Sequence, residues 1–500
     1  MSKENRLILR AAFVFVLITQ LFQSASAQII EAKIKLTVKS TTVVEIQGVN
    51  LDANSMQNAN NFSFASSYAG IENLGERISD VDLTDENKRK IEYKKFAAGE
   101  FVAEKPFVFW NYKIKADVSA ANYAAMPRVS HIFAEQGILM SGDLLPQFTA
   151  KNGEKVGAKI SFDLPDNWKI TSSEKKIGDN SFEVADIEKA VFYVGKNWRE
   201  REIPVGGAKL NFLISGERQF SDAEAFQMAE EIFGFYTKMF GAIPNQNAHI
   251  FLGKFPPDAK FGRWEAETRG ASVTIYSAEM PFKTQSLQRL HEQLRHEIFH
   301  LWMPNNLSLS GNYDWFYEGF ALYQALKTGV AVNRLRFEDF LDTLARAHSI
   351  DTLQSQRVSL IEASKNRWNG ANTQVYARGM LVAFLCDLTV LRHSKGKNSI
   401  TEVFQRIYQT HRQPNPRKEG NSAILEILQT RGELRSIVEK YIKGTENIVW
   451  QTDLEAFGIE SAEENFQTVL KVKAKSNSRQ KDLLDKLGYN NWRKLSESSR

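Results

Sequence analysis

The sequence predicts an α+β protein in which a β-rich N-terminal half precedes a mixed segment and then a helical one. Short alternating apolar and polar runs, as at 32–38, 159–164 and 209–212, dominate from about residue 29 to 214. From Ser221 the composition turns helical, and after Gly329 most segments follow a helical period. A chain of 500 residues can hold two or three domains with full cores.

The N-terminal half, residues 28–215, is predicted to form a β-sandwich or a saddle-shaped sheet. Turn signals such as Asn152-Gly153 and Pro165-Asp166-Asn167 separate its short strands. Short strands with regular breaks are typical of sandwiches. This half contains no cluster of catalytic residue types.

Residues 1–27 are predicted to be a secretory signal peptide. Three basic residues precede the apolar run 11–18, which is too short to span a bilayer, and Ala25-Ser26-Ala27 resembles a cleavage site. Cleavage after Ala27 would make the mature protein secreted or periplasmic; an uncleaved anchor is the alternative. No stable membrane insertion is expected from the rest of the chain.

Charge and cysteine content narrow the possible partners. Loss of the leader, which carries three basic residues and Glu4, would lower the net charge from +5 to +3, and nothing indicates a nucleic-acid partner. The single cysteine, Cys386, excludes an internal disulfide. It lies in an apolar run and is expected to be a buried small side chain.

The strongest chemical signal is the H-E-x-x-H pattern at residues 296–300. The i, i+4 spacing places His296 and His300 on one face of a helix, with Glu297 beside them. A helix is expected because residues 286–295 contain neither Gly nor Pro, and Pro304 would end it.

Catalytic zinc needs three protein ligands and an open position, so one ligand remains to be found. The most economical choice is Glu318, separated from His300 by seventeen residues, which is enough for a turn and a return helix. We expect that helix to begin at Asp314 as the N-cap.

At these residues the chain resembles the gluzincins, metallopeptidases whose zinc ligands are two helical histidines and a downstream glutamate. Trp302 and the run 318–323 are similar to both the membrane alanyl and the glycyl aminopeptidase groups. The run 376–388 resembles the Tyr-x-Lys-Gly-Ala-Leu helix of the glycyl group, with Arg378 in place of the usual Lys. The resemblance covers about residues 220–460, and no PDZ-sized segment follows the tyrosine helix.

The resemblance implies a thermolysin-like zinc catalytic domain at 216–330, a helical domain at 331–460 that completes the active site, and a basic C-terminal tail at 461–500. The strand just before the metal helix, at 271–276, is expected to bind extended substrate at the sheet edge. The helical domain is expected to form a bundle of four segments, which are 334–348, 375–392, 400–411 and 423–441. In the tail we expect a docked helix near 482–487; contact with an anionic envelope surface is the alternative.

The resemblance also implies residue roles in the hydrolysis of peptide or protein substrates. Glu297 would act as general base beside Zn²⁺, and Tyr376 would donate a hydrogen bond to the developing oxyanion. Glu265 or Glu267, in a loose match to a Gly-x-x-Glu signature, would bind the α-ammonium of an aminopeptidase substrate.

Three functions remain open at this point. The first is a secreted zinc aminopeptidase, the second is an endopeptidase or dipeptidase with the same centre, and the third is a catalytically silent peptide-binding protein. The sequence leaves the side-chain preference and the oligomeric state undetermined.

Overall fold

The computed structural model describes residues 28–38, 42–52, 55–117, 120–133, 135–151 and 155–491. The described chain forms two compact units. One holds the described residues up to Asp117 together with those of Val129–Lys196, and the other holds Ala120–Arg128 and the described residues from Asn197 to Asn491. The predicted signal peptide and Trp492-Arg493 of the tail lie outside the described residues.

The first unit is built almost entirely from strands. They are β1 (Gln28–Val38), β2 (Thr42–Asn50), β3 (Asn61–Ser63), β4 (Ile78–Thr84), β5 (Tyr93–Ala97), β6 (Glu100–Ala103), β7 (Phe109–Lys115), β8 (His131–Phe133), β9 (Gln136–Met140), β10 (Gly157–Asp163), β11 (Lys169–Ser172), β12 (Lys175–Gly178), β13 (Ser181–Val184) and β14 (Val191–Gly195), with a 3₁₀ turn at Leu74–Arg77 and a short helix α1 (Ser141–Leu144).

These strands form a seven-stranded sheet in the order β12-β13-β10-β1-β2-β7-β4, a four-stranded sheet β11-β14-β9-β8 and a three-stranded sheet β3-β6-β5. Along β1 the side chains alternate between buried and more exposed positions, as expected for a sheet with one face on a core. The rings of Phe162 on β10 and Phe192 on β14 lie 4.7 Å apart, so the two larger sheets pack face to face. The predicted sandwich is confirmed.

The second unit alternates strands and helices before it becomes helical. Its elements are a 3₁₀ helix (Ala120–Ala125), β15 (Arg199–Val205), β16 (Ala208–Ile214), α2 (Asp222–Phe240), β17 (Asn247–Lys254), β18 (Trp264–Arg269), β19 (Ser272–Ser277), α3 (Lys283–His300), β20 (Leu309–Ser310), a π-helix (Trp315–Phe320), α4 (Ala321–Ala331), α5 (Phe337–Thr352), α6 (Leu360–Lys365), a 3₁₀ turn (Arg367–Asn369), α7 (Asn372–His393), α8 (Ile400–His411), β21 (Lys418–Glu419), α9 (Gly420–Gln429), a 3₁₀ turn (Gly432–Leu434), α10 (Arg435–Ile437), a π-helix (Val438–Lys443), α11 (Gln451–Ala456), β22 (Ile459–Glu464), β23 (Gln467–Val472) and α12 (Ser478–Leu487).

The sheet of this unit has the order β15-β16-β17-β19-β18, with β16, β17 and β19 parallel and the two outer strands antiparallel. Because β16 pairs with β17, the sheet takes in residues from Arg199 onward, ahead of the boundary expected at 215. The expectation that the strand at 271–276 is the substrate edge is wrong: β19 is interior, and its hairpin partner β18 forms the edge.

Some helices agree with their sequence signals and others do not. Helix α2 begins with the reciprocal capping box of Ser221 and Glu224. The fourth predicted segment of the bundle, 423–441, is not one helix, because it breaks after Gln429 and resumes at Gly432. The tail contains a hairpin that the sequence did not predict, followed by α12, which buries Leu483, Leu484 and Leu487.

Helix α7 forms the centre of the second core. It is long and apolar enough to cross a membrane by length and composition, but 94% of that stretch is buried inside the fold. Fully buried Cys386 lies in it, among the apolar residues of the core, as expected. The amino end of α7 carries Tyr376 toward the end of α3.

Candidate active site

Helix α3 positions two imidazoles on one face at its carboxyl end. His296 and His300 lie one turn apart, with ring centroids 4.5 Å from each other, and His300 is buried. The Nδ1 atom of His300 lies 2.9 Å from the carbonyl oxygen of Met303. This contact orients the ring so that its Nε2 atom points toward His296.

Glu318 approaches the histidines from a π-helix, Trp315–Phe320, that continues into α4. Single π turns are common at functional sites. The backbone here packs very closely on α7: a Cβ atom added to Gly319 would lie 2.5 Å from the Cα of Gly379. Two glycines that face each other therefore allow the Glu318 segment and the Tyr376 helix to come together.

The three predicted ligands converge. The Nε2 atoms of His296 and His300 are 3.0 Å apart. The Oε2 atom of Glu318 lies 3.1 Å from His296 Nε2 and 3.6 Å from His300 Nε2. Three ligands at zinc bond lengths and tetrahedral angles would be about 3.3 Å apart. Two imidazoles and one carboxylate are also the donor set of many catalytic zinc sites, so these residues fit the ion.

The charges around this cluster are strongly coupled. Burial opposes a charged imidazole, but the carboxylate of Glu318 outweighs it and raises the pKa of His300 to about 9. Burial would likewise raise the pKa of Glu318, yet the Arg367 guanidinium and His300 hold it well below its usual range. Binding of a divalent cation to these three groups would therefore be coupled to release of a proton from His300.

The predicted base, Glu297, is held by the edge strand beside the cluster. Glu297 is buried, and its Oε2 atom lies 2.7 Å from the hydroxyl of Thr268 on β18. The same hydroxyl lies 2.9 Å from the backbone carbonyl oxygen of Glu297. The carboxylate is thereby fixed between the metal helix and the strand edge.

Tyr376 lies beside His296, with ring centroids 6.5 Å apart. Its hydroxyl oxygen accepts a hydrogen bond of 2.6 Å from Arg367 Nη2. Burial, together with the charge of Glu318, raises the pKa of this phenol well above its usual value. Tyr376 therefore keeps its proton and can act as a donor.

Asp314 does not have the expected role. Its backbone is already helical and its side chain caps no amide. Its Oδ1 atom instead accepts a 2.9 Å hydrogen bond from Arg367. The N-cap prediction is wrong because a buried guanidinium offers this carboxylate a stronger, charged partner.

Glu265 and Glu267 lie on β18, two residues apart and thus on the same face. Arg128, from the segment Ala120–Arg128, lies 3.5 Å from a carboxylate oxygen of each, and Arg263 lies 3.1 Å from Glu265. Burial raises the pKa of Glu267, and the charges of Glu297 and Glu318 raise it further, so this carboxylate lies near the cluster of His296, His300 and Glu318. The acidic pair is balanced by two arginines.

Three of these residues have no sequence signal. Arg367 follows a short helix in a 3₁₀ turn, Thr268 lies on a polar strand, and Arg128 is about 170 residues from the metal motif. None belongs to a spacing that indicates chemistry. Their roles depend on which segments the fold brings together.

Comparison with known proteins relates most of the chain to solved structures. No protein-family model and no curated protein sequence matches it. An aminopeptidase N family protein from Idiomarina loihiensis superimposes with a TM-score of 0.72 at 15% identity, over 90% of this chain and 82% of that one. An M1 zinc metallopeptidase from Deinococcus radiodurans gives 0.52 at 14% identity over 86% and 97%, and its variant bound to a Tyr-Ser-Ala substrate gives 0.52 at 13% over the same shares.

These structures establish the fold. The chain has the two-part α+β architecture of M1 zinc metallopeptidases. The α+β class predicted from the sequence, and the gluzincin-like fold that the motifs implied, are confirmed. At these identities, the chemistry of this chain rests on its own residues.

Proposed function

We propose that this chain is a zinc-dependent peptidase. Of its two candidate modes of cleavage, the first is that of an aminopeptidase. The observation that carries the proposal is the convergence of His296, His300 and Glu318 at zinc-like spacings, with Glu297 buried beside them. A silent binding protein would not need this base or the protonated Tyr376 next to it.

The base is Glu297. His296, His300 and Glu318 would hold a zinc ion, which would supply Lewis acidity for activating water and polarising the substrate carbonyl. Glu297 accepts the proton of the attacking water and returns it to the leaving amine. The Thr268 hydroxyl holds the carboxylate in place for both transfers.

Tyr376 supplies the electrostatic part of catalysis. As negative charge develops on the carbonyl oxygen of the substrate, the phenol donates a hydrogen bond to it. The 2.6 Å hydrogen bond from Arg367 occupies a lone pair of the Tyr376 oxygen, so the phenol keeps its proton for donation, which in this structure is directed toward Glu318.

The substrate backbone pairs with the open edge of β18. The backbone amide of Ala278 donates to the carbonyl oxygen of Arg263, so the odd-numbered residues of this strand face β19. Ala266 therefore turns its N–H and C=O outward, where an extended peptide can add as a further strand. The carbonyl of Thr268 is already bound by Asn305.

Glu265 and Glu267 are the proposed partners of a substrate α-ammonium. Glu267 lies within electrostatic range of Glu297 and Glu318, so an amine bound there would be close to the scissile bond. Because these two carboxylates lie on the open edge strand itself, they favour a substrate with a cationic amino terminus over one with an acylated amino terminus.

A second mode, that of an endopeptidase, is supported by Arg128. Its guanidinium already lies between Glu265 and Glu267, where an α-ammonium would bind. A peptide without a free amine would bind without displacing Arg128 from these two carboxylates.

The predicted signal peptide supports action outside the cytoplasm, in the periplasm or the medium.

The test is hydrolysis of one peptide in its free-amine and N-acetylated forms by the zinc-loaded protein. An aminopeptidase cleaves the free-amine form much faster, whereas equal turnover of both would overturn that mode and leave the endopeptidase. Cleavage of neither form, nor of any peptide in a library, would contradict a peptidase function.

A further inference from the structure

Arg367 lies where three functional groups meet. It starts the 3₁₀ turn that links α6 to α7, and only 8% of its surface is exposed. Its Nη1 atom is 2.9 Å from Glu318 Oε1 and 2.9 Å from Asp314 Oδ1, and its Nη2 atom donates to the hydroxyl of Tyr376. The guanidinium also stacks 4.4 Å from the ring of Trp368.

The two oxygens of Glu318 have different partners. Oε2 faces both histidines, whereas Oε1 is bound by Arg367. A guanidinium on one oxygen leaves the carboxylate a single oxygen for a metal and prevents rotation about its terminal bond. Arg367 therefore orients the ligand that comes from outside helix α3.

The same guanidinium orients Tyr376. A planar fork with fixed angles between its N–H groups can bind Glu318 and the phenol at once, at 2.9 and 2.6 Å, and hold them at a constant separation. Lysine would keep the positive charge, but its single ammonium on a flexible stem lacks the rigid fork that fixes the angle between the two groups.

We infer that Arg367 is a positioning residue that links the metal ligand Glu318 to the hydrogen-bond donor Tyr376. Its kinetic consequence rests on the proposed peptidase function, but its effect on metal binding does not. The rival explanation is that Arg367 only neutralises the buried carboxylates of Asp314 and Glu318.

The experiment uses the full chain and two measurements. The first is the zinc affinity of the metal-free protein, obtained by competition with a chelator. The second is kcat and KM for a peptide at saturating zinc, in the wild type, Arg367→Lys, Tyr376→Phe and the double variant. Arg378→Lys is the matched control, because Arg378 is a buried arginine of α7 that pairs with Asp351.

Arg367→Lys is expected to weaken zinc binding by about tenfold, as loss of an outer partner of a ligand does. It should lower kcat by about a hundredfold with KM changed far less, because the donor acts in the transition state. In the Tyr376→Phe background the same change should lower kcat by no more than about threefold. Arg378→Lys should lower thermal stability without the losses in zinc affinity and kcat.

Unchanged zinc affinity in Arg367→Lys, or losses of kcat that simply multiply in the double variant, would overturn the inference. If the wild type cleaves no peptide, the proposed function fails, and the zinc affinities alone decide whether Arg367 positions Glu318. If Arg367→Lys does not fold, Asn372→Ala replaces it, since Asn372 accepts from Arg367 Nε at 3.4 Å. This milder change should reduce zinc affinity and kcat by about threefold each, and no change in either would contradict the inference.

Discussion

Two buried carboxylates in this molecule, Asp143 and Glu318, have opposite surroundings. Asp143, in the first unit, receives hydrogen bonds from Arg77 Nη2 at 2.7 Å and from the amide and hydroxyl of Ser130 at 2.9 and 2.7 Å. In each of these hydrogen bonds the Asp143 carboxylate is the acceptor. Its polar groups are fully satisfied within the unit.

The cluster of Glu318 is built differently. One carboxylate oxygen and two imidazole nitrogens, all able to offer lone pairs, point at a common position, and His296 Nδ1 has no hydrogen-bond partner among the described residues. Such an arrangement is costly unless a proton or a metal cation binds between the three groups. The contrast teaches that an architectural cluster pairs donors with acceptors, whereas a metal centre assembles acceptors.

The largest expected effect concerns the base next to the acceptor cluster. Glu297→Gln should keep zinc bound but lower kcat by about a thousandfold, because the amide cannot accept the water proton. Peptide-hydrolysis kinetics measure kcat, and metal analysis of the same sample measures the bound zinc. Glu292→Gln, an exposed change on the same helix, is the control. Activity that survives in Glu297→Gln would require a different base.

The donor-satisfied cluster should fail in a different way. Asp143→Asn leaves Arg77 without a charged partner and should lower the free energy of unfolding by about 3 kcal/mol while zinc affinity stays unchanged. Urea unfolding measures the first and chelator competition the second. Asp80→Asn, which changes a surface pair with Lys113, should alter stability by no more than about 0.5 kcal/mol. A change in zinc affinity in Asp143→Asn would contradict the expectation that Asp143 stabilises the first unit without affecting metal binding.

Acid should affect the first unit through His131. Burial lowers the pKa of this imidazole to about 4, although Asp143 opposes the shift. The folded state therefore holds His131 neutral, and this stability is present above pH 6.5 and is lost as the pH falls toward 4, by about 3 kcal/mol. His131→Asn should flatten that part of the curve of unfolding free energy against pH, and exposed His393→Asn should not. Equal slopes in both variants would refute the assignment.

The next largest effect is expected where the backbones of Gly319 and Gly379 pack closely together. A Cβ atom on Gly379 would lie 2.8 Å from the carbonyl oxygen of Trp315 and 2.9 Å from Gly319 Cα. Gly379→Ala should therefore cost about 2 kcal/mol of stability and weaken zinc binding, because it pushes Glu318 away from the histidines. Gly432→Ala, where a Cβ would meet nothing within 4 Å, is the control for the loss of a glycine. Wild-type zinc affinity in Gly379→Ala would show that the cluster tolerates this displacement.

The smallest expected effect lies at the acidic pair. Arg128→Gln removes the cation that competes with a substrate α-ammonium and should raise the preference for a free-amine over an N-acetylated peptide by about tenfold, mainly through KM. Arg263 pairs with Glu265 but not with Glu267, so Arg263→Gln should shift the preference for the free-amine peptide less. A fall in the ratio with Arg128→Gln would mean that Arg128 itself helps to bind the terminus.

The two kinds of cluster also differ in how far the sequence reveals them. Helical periodicity places His296 and His300 on one face, and the spacing to Glu318 allows a return segment, so the acceptor cluster could be anticipated from residue types alone. The strand alternation likewise predicted the sandwich. These features depend on short-range geometry that a sequence records directly.

Other features depend on long-range packing. Arg367 gains its role because the turn before α7 meets the Glu318 segment, and the break after Gln429 has no strong punctuation before Gly432. The edge strand β18 is polar and lacks a clear alternation, so the sequence favours the apolar interior strand β19 as the edge. Such outcomes follow from which elements pack together.

The central claim is that His296, His300 and Glu318 hold one zinc ion. Titration of zinc into the metal-free protein tests it most directly, with His300→Ala and Glu318→Ala measured in parallel and folding checked by circular dichroism. We expect one tightly bound ion per wild-type chain and a loss of tight binding in both variants. A wild type that binds no zinc, or folded variants that bind it as tightly as the wild type, would contradict the claim.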